Sequence, residues 1–279
     1  MNRYYEIKRI FCLILNTYNV YLVFKREKNN MAVLVLGATG ATGQLVVKDL
    51  LSSNQSVIAL VRSPNLPPHP NLEQIQGTVL TLSEAKLIKI LARVECIASC
   101  LGHNLTFKGI YGQPRMLVRD SIMQICQLER LIRKTLTRRK PLRIILMSSS
   151  GSQNLDLAEP ISKSQKMALA IIRCLVPPHL DNERAANYLR CEIKNDYQLK
   201  WVIVRPDTLI NEKDISNYAL HASPERSAIF DPGTTSRINV ANFMARLTRE
   251  DYLFDYWEGK MPVIYNCQTQ ESLDLEERF

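Results

Sequence analysis

The feature that most constrains this chain is a set of three glycines, spaced three residues apart, between an apolar segment and a helical pattern. Residues 32–37 (AVLVLG) are apolar without alternation, which is typical of a strand buried on both faces of a parallel sheet. The turn is Gly37-Ala-Thr-Gly40-Ala-Thr-Gly43, and residues 41–51 have the spacing of an amphipathic helix. This order predicts a Rossmann-type α/β fold with a doubly wound parallel sheet.

The glycine spacing meets three steric demands of a dinucleotide site. One glycine lets the chain turn sharply, one lets the backbone approach the pyrophosphate, and one lets the helix pack on the strand. Free N–H groups at the helix N-terminus then face the phosphates, and the threonines add hydroxyl donors. The alternative is a glycine-rich turn without a nucleotide. We expect the cofactor-binding residues here to be Gly37, Thr39, Gly40, Ala41, Thr42 and Gly43.

The end of the second predicted strand, residues 56–61, favours NADP(H) over NAD(H). Sites that select NAD usually place Asp or Glu there to bind the ribose 2′-hydroxyl. In this chain the strand is followed by Arg62 and Ser63. Arg62 can pair with a 2′-phosphate and Ser63 can hydrogen-bond it. The alternative is an ordinary surface arginine.

Strands and helices continue to alternate along the body of the chain, which indicates right-handed βαβ units in one parallel sheet. Further strands are predicted at 72–79, 95–101, 142–147 and 201–204. Helices are predicted at 82–94, 115–136, 160–175 and 182–193. Ser83 is expected to cap the first of these helices, Pro114 to open the second and Pro177-Pro178 to end the third.

The predicted organisation is one Rossmann domain over residues 31–279. Its last part, from about residue 207, is expected to form a small substrate-side lobe. Short strands are predicted there at 228–230 and 262–265, around a helix at 239–247. No linker or internal repeat interrupts the domain.

Residues 1–30 form a separate apolar and basic extension. The apolar run at 10–24 has 15 residues and contains Asn16 and Asn19, which makes it short for a membrane-spanning helix, and no small-residue cleavage site follows it. Three interpretations stay open: a peripheral membrane anchor, an extra packed element, or a translation start assigned too early, with the domain beginning at Met31. Contact with anionic lipid is expected only if this segment is expressed.

Composition narrows the class of protein. The seven cysteines are odd in number and scattered, which argues against a disulfide framework or a zinc site and favours a reducing, cytoplasmic location. The net charge of +9 is concentrated in residues 1–30 and at 130–143, the end of a predicted helix. Since aromatic residues do not interleave with these cations, no nucleic-acid partner is expected.

Motifs at three further strand ends resemble those of a known protein family. They are Leu101-Gly102, Met147-Ser148-Ser149-Ser150 and Val204-Arg205-Pro206. With the glycine spacing they resemble the atypical short-chain dehydrogenase/reductase superfamily, near its NmrA-like and biliverdin/flavin-reductase-like branches, over roughly residues 31–266. The resemblance implies that Leu101, Gly102, Ser148 and Pro206 line the nicotinamide side of the cofactor.

The chain departs from the common tyrosine-dependent branch, which uses Tyr-x-x-x-Lys on the helix after the fifth strand. On that helix Tyr188 is followed four residues later by Glu192, which would raise the pKa of the tyrosine. The pairs that do fit are interpreted as chance: Tyr4/Lys8, Tyr21/Lys25 and Tyr256/Lys260. Tyrosine–lysine catalysis is therefore not expected.

Other residues are candidates for the missing roles. Ser149 is best placed to hydrogen-bond a substrate carbonyl, and Arg184 lies near the expected lysine position, where it could bind ribose or phosphate. His103 either faces the nicotinamide or is an exposed loop histidine. Weaker candidates are Lys108 and Tyr111 as pocket residues, and Asp207 as a turn cap or a substrate contact.

Two functions of different classes follow from this pattern. The first is an NADP(H)-dependent oxidoreductase that transfers hydride to a small carbonyl, quinone or flavin-like substrate of unknown identity. The second, implied by the NmrA-like resemblance, is a non-catalytic redox sensor that binds the dinucleotide and acts through a protein partner. A third possibility is an assembly factor that retains a bound dinucleotide.

Overall fold

The computed structural model describes residues 31–103, 111–135, 140–157, 159 and 161–267. Eight strands form one sheet in the order β3-β2-β1-β4-β5-β6-β10-β8, and β8 pairs antiparallel with β10 at one edge. The strands of this sheet are β1 (Ala32–Leu36), β2 (Val57–Val61), β3 (Leu72–Gln76), β4 (Val94–Ser99), β5 (Leu142–Met147), β6 (Leu199–Pro206), β8 (Tyr218–His221) and β10 (Val263–Asn266). A separate two-stranded sheet pairs β7 (Thr208–Ile210) with β9 (Thr234–Ser236).

Helices cover both faces of the main sheet, as the doubly wound prediction requires. They are α1 (Gly43–Ser52), α2 (Glu84–Leu91), α3 (Leu117–Thr135), α4 (Lys163–Leu175), α5 (Pro177–Tyr188), α6 (Arg237–Arg249) and α7 (Asp251–Trp257). A π-helical turn, Leu189–Ile193, continues α5.

The core has two halves because successive strand residues point to opposite faces of the sheet. Leu34 and Ile97 belong to the half that packs against α2, α3 and α5. Val35 and Ala98 belong to the half that packs against α1, α6 and α7. The strands at the centre are buried on both faces, which explains their continuous apolar sequences.

The strand order brings the predicted site residues to one edge of the sheet. β1 pairs in parallel with both β2 and β4, so the chain crosses from one side of β1 to the other between β3 and β4. Ligands of open α/β sheets bind outside the carboxyl ends of the strands at such a switch point. The segments after β1, β2, β4, β5 and β6 all emerge there.

Several helix ends differ from the predictions. Pro177 begins α5 instead of only ending α4, because a proline in the first helical turn has no N–H that needs a partner. Helix α3 begins at Leu117 instead of just after Pro114, and the carboxylate of Asp181 accepts the N–H groups of Val118 and Arg119 at its start. The predicted cap at Ser83 is confirmed.

The end of the chain departs most from the prediction. No strand forms at residues 228–230, where the backbone makes a turn, and the strand predicted at 72–79 ends at Gln76. Strands β7, β8 and β9 and helix α7 were not predicted. These strands have three or four residues each and pair with partners distant in sequence, so they leave no hydrophobic period.

The cysteines that are packed in the core fit the expected role of small hydrophobic side chains. Burial raises the pKa of Cys96, Cys100 and Cys126 to about 12, so these thiols stay protonated. The predicted extension, residues 1–30, lies outside the described residues. In the part of the chain that the structure describes, no helix has both the length and the apolar character that a membrane crossing requires.

Candidate functional site

The turn after β1 packs directly on the end of β4. Gly37 has a φ of +71°, and a Cβ there would lie 2.5 Å from the carbonyl oxygen of Cys100. A Cβ at Gly43 would overlap the carbonyl oxygen of Gly37. Both positions therefore require glycine for the fold itself, whether or not a ligand is bound.

Gly40 differs from these two glycines. A Cβ there would have one neighbour within 4 Å, the Gly37 oxygen at 3.2 Å, and Thr39, Gly40 and Ala41 are exposed. Thr42, which is buried, precedes α1 but makes no capping hydrogen bond with its side chain, and the first turn of α1 contains no acidic residue. The helix therefore presents its N-terminus to an open surface, an arrangement suited to an anion.

The end of β2 lies beside this turn. Arg62 and Ser63 are exposed, and the carbonyl of Arg62 accepts a hydrogen bond of 3.2 Å from Nε2 of Gln76 at the end of β3. Among the described residues no carboxylate forms an ion pair with Arg62. Its guanidinium is therefore available to an external anion.

In the segment after β4, Gly102 is open to solvent, whereas His103 is held by a buried contact. Gly102 is exposed, and a Cβ there would meet nothing within 4 Å, whereas Leu101 is partly buried. His103 is not an exposed loop histidine: its side chain is 5% exposed, and Nε2 lies 2.8 Å from the carboxylate of Asp181. Asp181, at 0% exposure, thereby ties this loop to the start of α3.

The three serines after β5 have different partners. Ser148 donates a hydrogen bond of 2.8 Å to the hydroxyl of Ser152, and the side chain of Ser150 bonds to the carboxylate of Asp207. The hydroxyl of Ser149 lies 3.6 Å from the point that a Cβ of Gly151 would occupy. The ring of His179 borders the same point, so Ser149 is the serine that shares its surroundings with a histidine.

His179 was missed by the sequence analysis. It lies in the first turn of α5, and its Nε2 is 3.4 Å from Oε1 of Glu183, one turn further along the helix. Glu183 in turn accepts two hydrogen bonds from Arg173 of α4, at 2.7 and 2.8 Å. A signal existed in the sequence, since His-x-x-x-Glu stands on the same helix as the Tyr-x-x-x-Lys that was sought.

The end of β6 is built around a buried arginine. Arg205 is fully buried and donates to the carbonyls of Met261, Ser152 and Ala222, and it pairs with Glu159 at 2.8 Å. It thereby fixes the loop that follows β5. Pro206 is buried, and its carbonyl accepts the N–H of Ser150 at 2.9 Å.

Asp207 organises a turn. Its carboxylate accepts the N–H groups of Thr208 at 2.9 Å and Gly233 at 3.1 Å. Burial raises the pKa of Asp207, although these hydrogen bonds oppose the shift. These contacts favour the turn-cap interpretation over a substrate contact.

Two of the remaining candidates, Arg184 and Tyr111, contact residues on or near the helices. Arg184 is exposed on α5 with Nη1 3.8 Å from the sulfur of Met116. Tyr111 donates a hydrogen bond of 2.8 Å to the carbonyl of Leu175, and Lys108 lies outside the described residues. Burial first, and then nearby charges that include Glu192, raise the pKa of Tyr188 to about 12, as the sequence predicted in direction.

The Tyr-x-x-x-Lys match that the structure describes lies away from this edge. Tyr256 and Lys260 lie beside the amino-terminal half of β6, where Gly259 bonds to the carbonyl of Trp201. Tyr4/Lys8 and Tyr21/Lys25 are outside the described residues. A groove of about 710 Å³ also lies away from the strand ends, between the end of α3 and the segment before β6, and it includes Arg130 and Tyr197.

Comparison with known proteins places this arrangement in a family. A family model described as NAD(P)H-binding matches residues 37–251, which is most of the chain and includes the glycine turn, the serines and His179. A sequence search of curated proteins gives no match.

Solved structures share the fold. An oxidoreductase from Lactococcus lactis is 17% identical with a TM-score of 0.59, over 89% of this chain and 98% of its own. A short-chain dehydrogenase/reductase from Veillonella parvula, in complex with NADP, is 18% identical with a TM-score of 0.59, over 86% and 97% of the two chains. A candidate NADH-flavin reductase from Streptococcus pneumoniae is 17% identical with a TM-score of 0.59, over 85% and 100%.

At these identities the structural likeness establishes the fold, and the family model establishes the relationship. The glycine turn, the strand order and the family match agree with one another. The chain belongs to the family of NAD(P)H-binding proteins that this model describes.

Proposed function

We propose that this protein is an NADP(H)-dependent oxidoreductase that reduces a small carbonyl, quinone or flavin-like substrate at the carboxyl ends of β1, β4 and β5. The observation that carries the proposal is the contrast among its glycines. Gly37 and Gly43 are required by packing, whereas Gly102 has open space where a side chain would be, and Gly40 is exposed with one close neighbour, the oxygen of Gly37 at 3.2 Å. Gly40 and Gly102 lie at the same edge, where a ligand can approach the backbone closely.

The described residues fit a bound dinucleotide. The turn from Gly37 to Gly43 and the N-terminus of α1 would hold the pyrophosphate, and Arg62 with Ser63 would hold the 2′-phosphate. The nicotinamide side would be lined by Leu101, Gly102, Ser148 and Pro206, and Arg184 would contact ribose or phosphate. When bound, the dinucleotide supplies or accepts the hydride.

The chain's own contribution is orientation and hydrogen bonding. Ser149 would donate a hydrogen bond to the substrate oxygen, because Ser148 and Ser150 already bond to Ser152 and Asp207. His103 was a second candidate for this role. Its contact with Asp181 supports a function in holding the loop that carries Gly102.

A thermal-shift titration of the full chain with NADPH, NADP⁺, NADH and NAD⁺ tests cofactor binding. A ligand that binds the native state raises the melting temperature by mass action. We expect a clear rise with NADPH and NADP⁺ and a smaller one with the other two. NADPH oxidation is then followed with a quinone, a free flavin and an α,β-unsaturated aldehyde. No melting shift with any dinucleotide, or binding without turnover on a broad panel, would count against the oxidoreductase.

A redox sensor is the second candidate, and one observation favours it. Met167, Ile171 and Leu175 form an exposed apolar stripe along α4, beside the candidate site, and a protein partner would bury it. A sensor would bind NADPH without oxidising it. Amide hydrogen exchange in α4 would then differ between the NADPH and NADP⁺ complexes, which an ordinary reductase does not require.

A further inference from the structure

We propose that His179 is the acid–base residue of this site, oriented by Glu183 and Arg173, in the place where tyrosine-dependent relatives use their Tyr–Lys pair. The proposal rests on the oxidoreductase function proposed above and names the proton donor that this function lacks. It depends on three observations: the position of the ring, the carboxylate behind it, and the serine in front of it.

The ring of His179 lies at the carboxyl end of β5. A Cβ on Gly151 would be 2.9 Å from Cε1 of His179, 3.7 Å from its Nδ1 and 3.6 Å from Oγ of Ser149. Nδ1 and the serine hydroxyl therefore both lie beside Gly151. The imidazole ring packs so closely on this glycine that a side chain there would displace it.

The other ring nitrogen faces a carboxylate. Nε2 of His179 is buried and lies 3.4 Å from Oε1 of Glu183, an ion-pair distance without the geometry of a hydrogen bond. Arg173 binds both oxygens of Glu183, which keeps the carboxylate ionised and fixed in place. An ionised carboxylate only accepts hydrogen bonds, so it favours the tautomer that carries hydrogen on Nε2. Nδ1 is then the nitrogen that gains and loses a proton toward Ser149.

The spacing of His179 and Glu183 is that of a Tyr–Lys pair, but the charged partner is an anion instead of a cation. In both arrangements a proton donor and a charged partner stand four residues apart on this helix, on one face. Lysine stabilises the tyrosinate, which is anionic, after it has given up its proton. Glu183 instead places a negative charge beside the imidazole ring, 3.4 Å from Nε2.

The proposed step balances as follows. As the carbonyl carbon receives the hydride from NADPH, His179 donates its Nδ1 proton to the carbonyl oxygen, which is also hydrogen-bonded to Ser149. The C=O π bond breaks, and C–H and O–H bonds form. The products are an alcohol, NADP⁺ and a neutral imidazole, which is reprotonated by solvent because the His179 side chain is 14% exposed.

The first test measures the tautomer and needs no substrate. The full chain has four histidines, and their imidazoles are observed by long-range ¹H–¹⁵N NMR, with His179→Gln to assign the signal. We expect neutral His179 to carry its hydrogen on Nε2. Glu183→Gln should shift it toward the Nδ1–H form, because the amide has one acceptor oxygen where Arg173 and His179 both need one.

A matched pair elsewhere in the chain serves as the control. Nδ1 of His221 lies 2.6 Å from Glu225, also four residues away, on an edge strand. Glu225→Gln should change the signal of His221 and leave that of His179 unchanged. A His179 signal in the Nδ1–H form in the wild type, or one unaffected by Glu183→Gln, would overturn the orientation that we propose.

The second test separates the proposal from the function on which it rests. With whichever substrate the wild type reduces, His179→Gln should lower kcat by about 100-fold or more and change the Kd for NADPH by less than about twofold. His221→Gln should leave both unchanged. Gly151→Ala, which retains the imidazole but displaces it, should also lower kcat, and it replaces His179→Gln if that variant does not fold.

The outcomes are distinct. If the wild type turns over and His179→Gln retains its kcat, the acid–base assignment is wrong and the oxidoreductase stands. If the wild type binds NADPH and reduces nothing, the function fails and the acid–base role fails with it. If NADPH binds without moving the His179 signal, the imidazole is not at the nicotinamide edge.

Discussion

At the scale of single residues, the glycines of this chain have two different roles. Gly37 and Gly43 let the turn pack on β4 and on itself, so a side chain at either position meets backbone atoms that cannot move aside. Gly102 has open space beside it, so the fold does not need it to be glycine. Substitutions at the two kinds of glycine should therefore separate an effect on stability from an effect on ligand binding.

Gly43→Ala and Gly102→Ala form a matched pair of variants. Gly43→Ala should lower the free energy of unfolding by about 1–3 kcal/mol, because the added methyl overpacks a rigid turn. Gly102→Ala should change it by less than about 0.5 kcal/mol but weaken NADPH binding by about tenfold. Urea denaturation and NADPH titration measure the two effects. Unchanged NADPH affinity in Gly102→Ala would place the nicotinamide elsewhere.

The proposed preference for NADP(H) depends on Arg62. Arg62→Asp removes a charged hydrogen bond to the 2′-phosphate, worth about 1.5–3 kcal/mol, and adds an acceptor for a ribose hydroxyl. The ratio of the Kd for NADH to the Kd for NADPH should fall by about 10-fold to 100-fold. Arg93→Asp, on the loop between α2 and β4, is the charge-matched control. The same ratio in Arg62→Asp as in the wild type would show that another residue recognises the phosphate.

At the scale of elements, α4 is attached to α5 by a partly buried ion pair. Arg173 of α4 binds Glu183 of α5 through two hydrogen bonds, and the side chains are 37% and 9% exposed. Burial opposes the charge on Glu183. Interactions with His179 and Arg173 outweigh that cost and hold the pKa of Glu183 below its ordinary value of 4.5.

This pKa shift predicts how stability depends on pH. A carboxyl whose pKa is lower in the folded state contributes stability above its unfolded pKa, and that contribution is lost as pH falls through the folded value. Wild type should therefore exceed Glu183→Gln in unfolding free energy at neutral pH, by about 1 kcal/mol after allowance for the exposure of Arg173. The difference should shrink below pH 4.5. Denaturation of both proteins over a pH series measures it, and a difference that stays constant into acid would contradict the assignment.

At the scale of the whole molecule, the described strands and core all follow the first thirty residues of the chain. All eight strands lie between Ala32 and Asn266, and both halves of the core belong to this range. We therefore expect a chain that begins at Met31 to fold and to bind NADPH with the affinity of the full chain. Its melting temperature and its Kd for NADPH test this expectation. An insoluble or non-binding product would mean that residues 1–30 contribute to the fold.

The sequence by itself determined the central sheet, the glycine turn and the cap at Ser83. These features are local. A buried strand is visible as an apolar run, and the close approach of Gly43 to the backbone of Gly37 arises within seven residues. The phosphate site could be proposed from the sequence for the same reason, since the turn, the helix start and the end of β2 each have their own short pattern.

Tertiary structure decided which side chains meet. His103 reaches Asp181 across 78 residues, and His179 reaches the surroundings of Ser149 across 30. Strand β10, which was predicted at 262–265, joins the sheet by pairing with β6, whereas β8 joins only by pairing with β10 and is too short to have a period of its own. No local pattern encodes such contacts, because they depend on how βαβ units bring distant strand ends to one edge. The glycine turn was therefore predictable, and the histidine beside Ser149 was not.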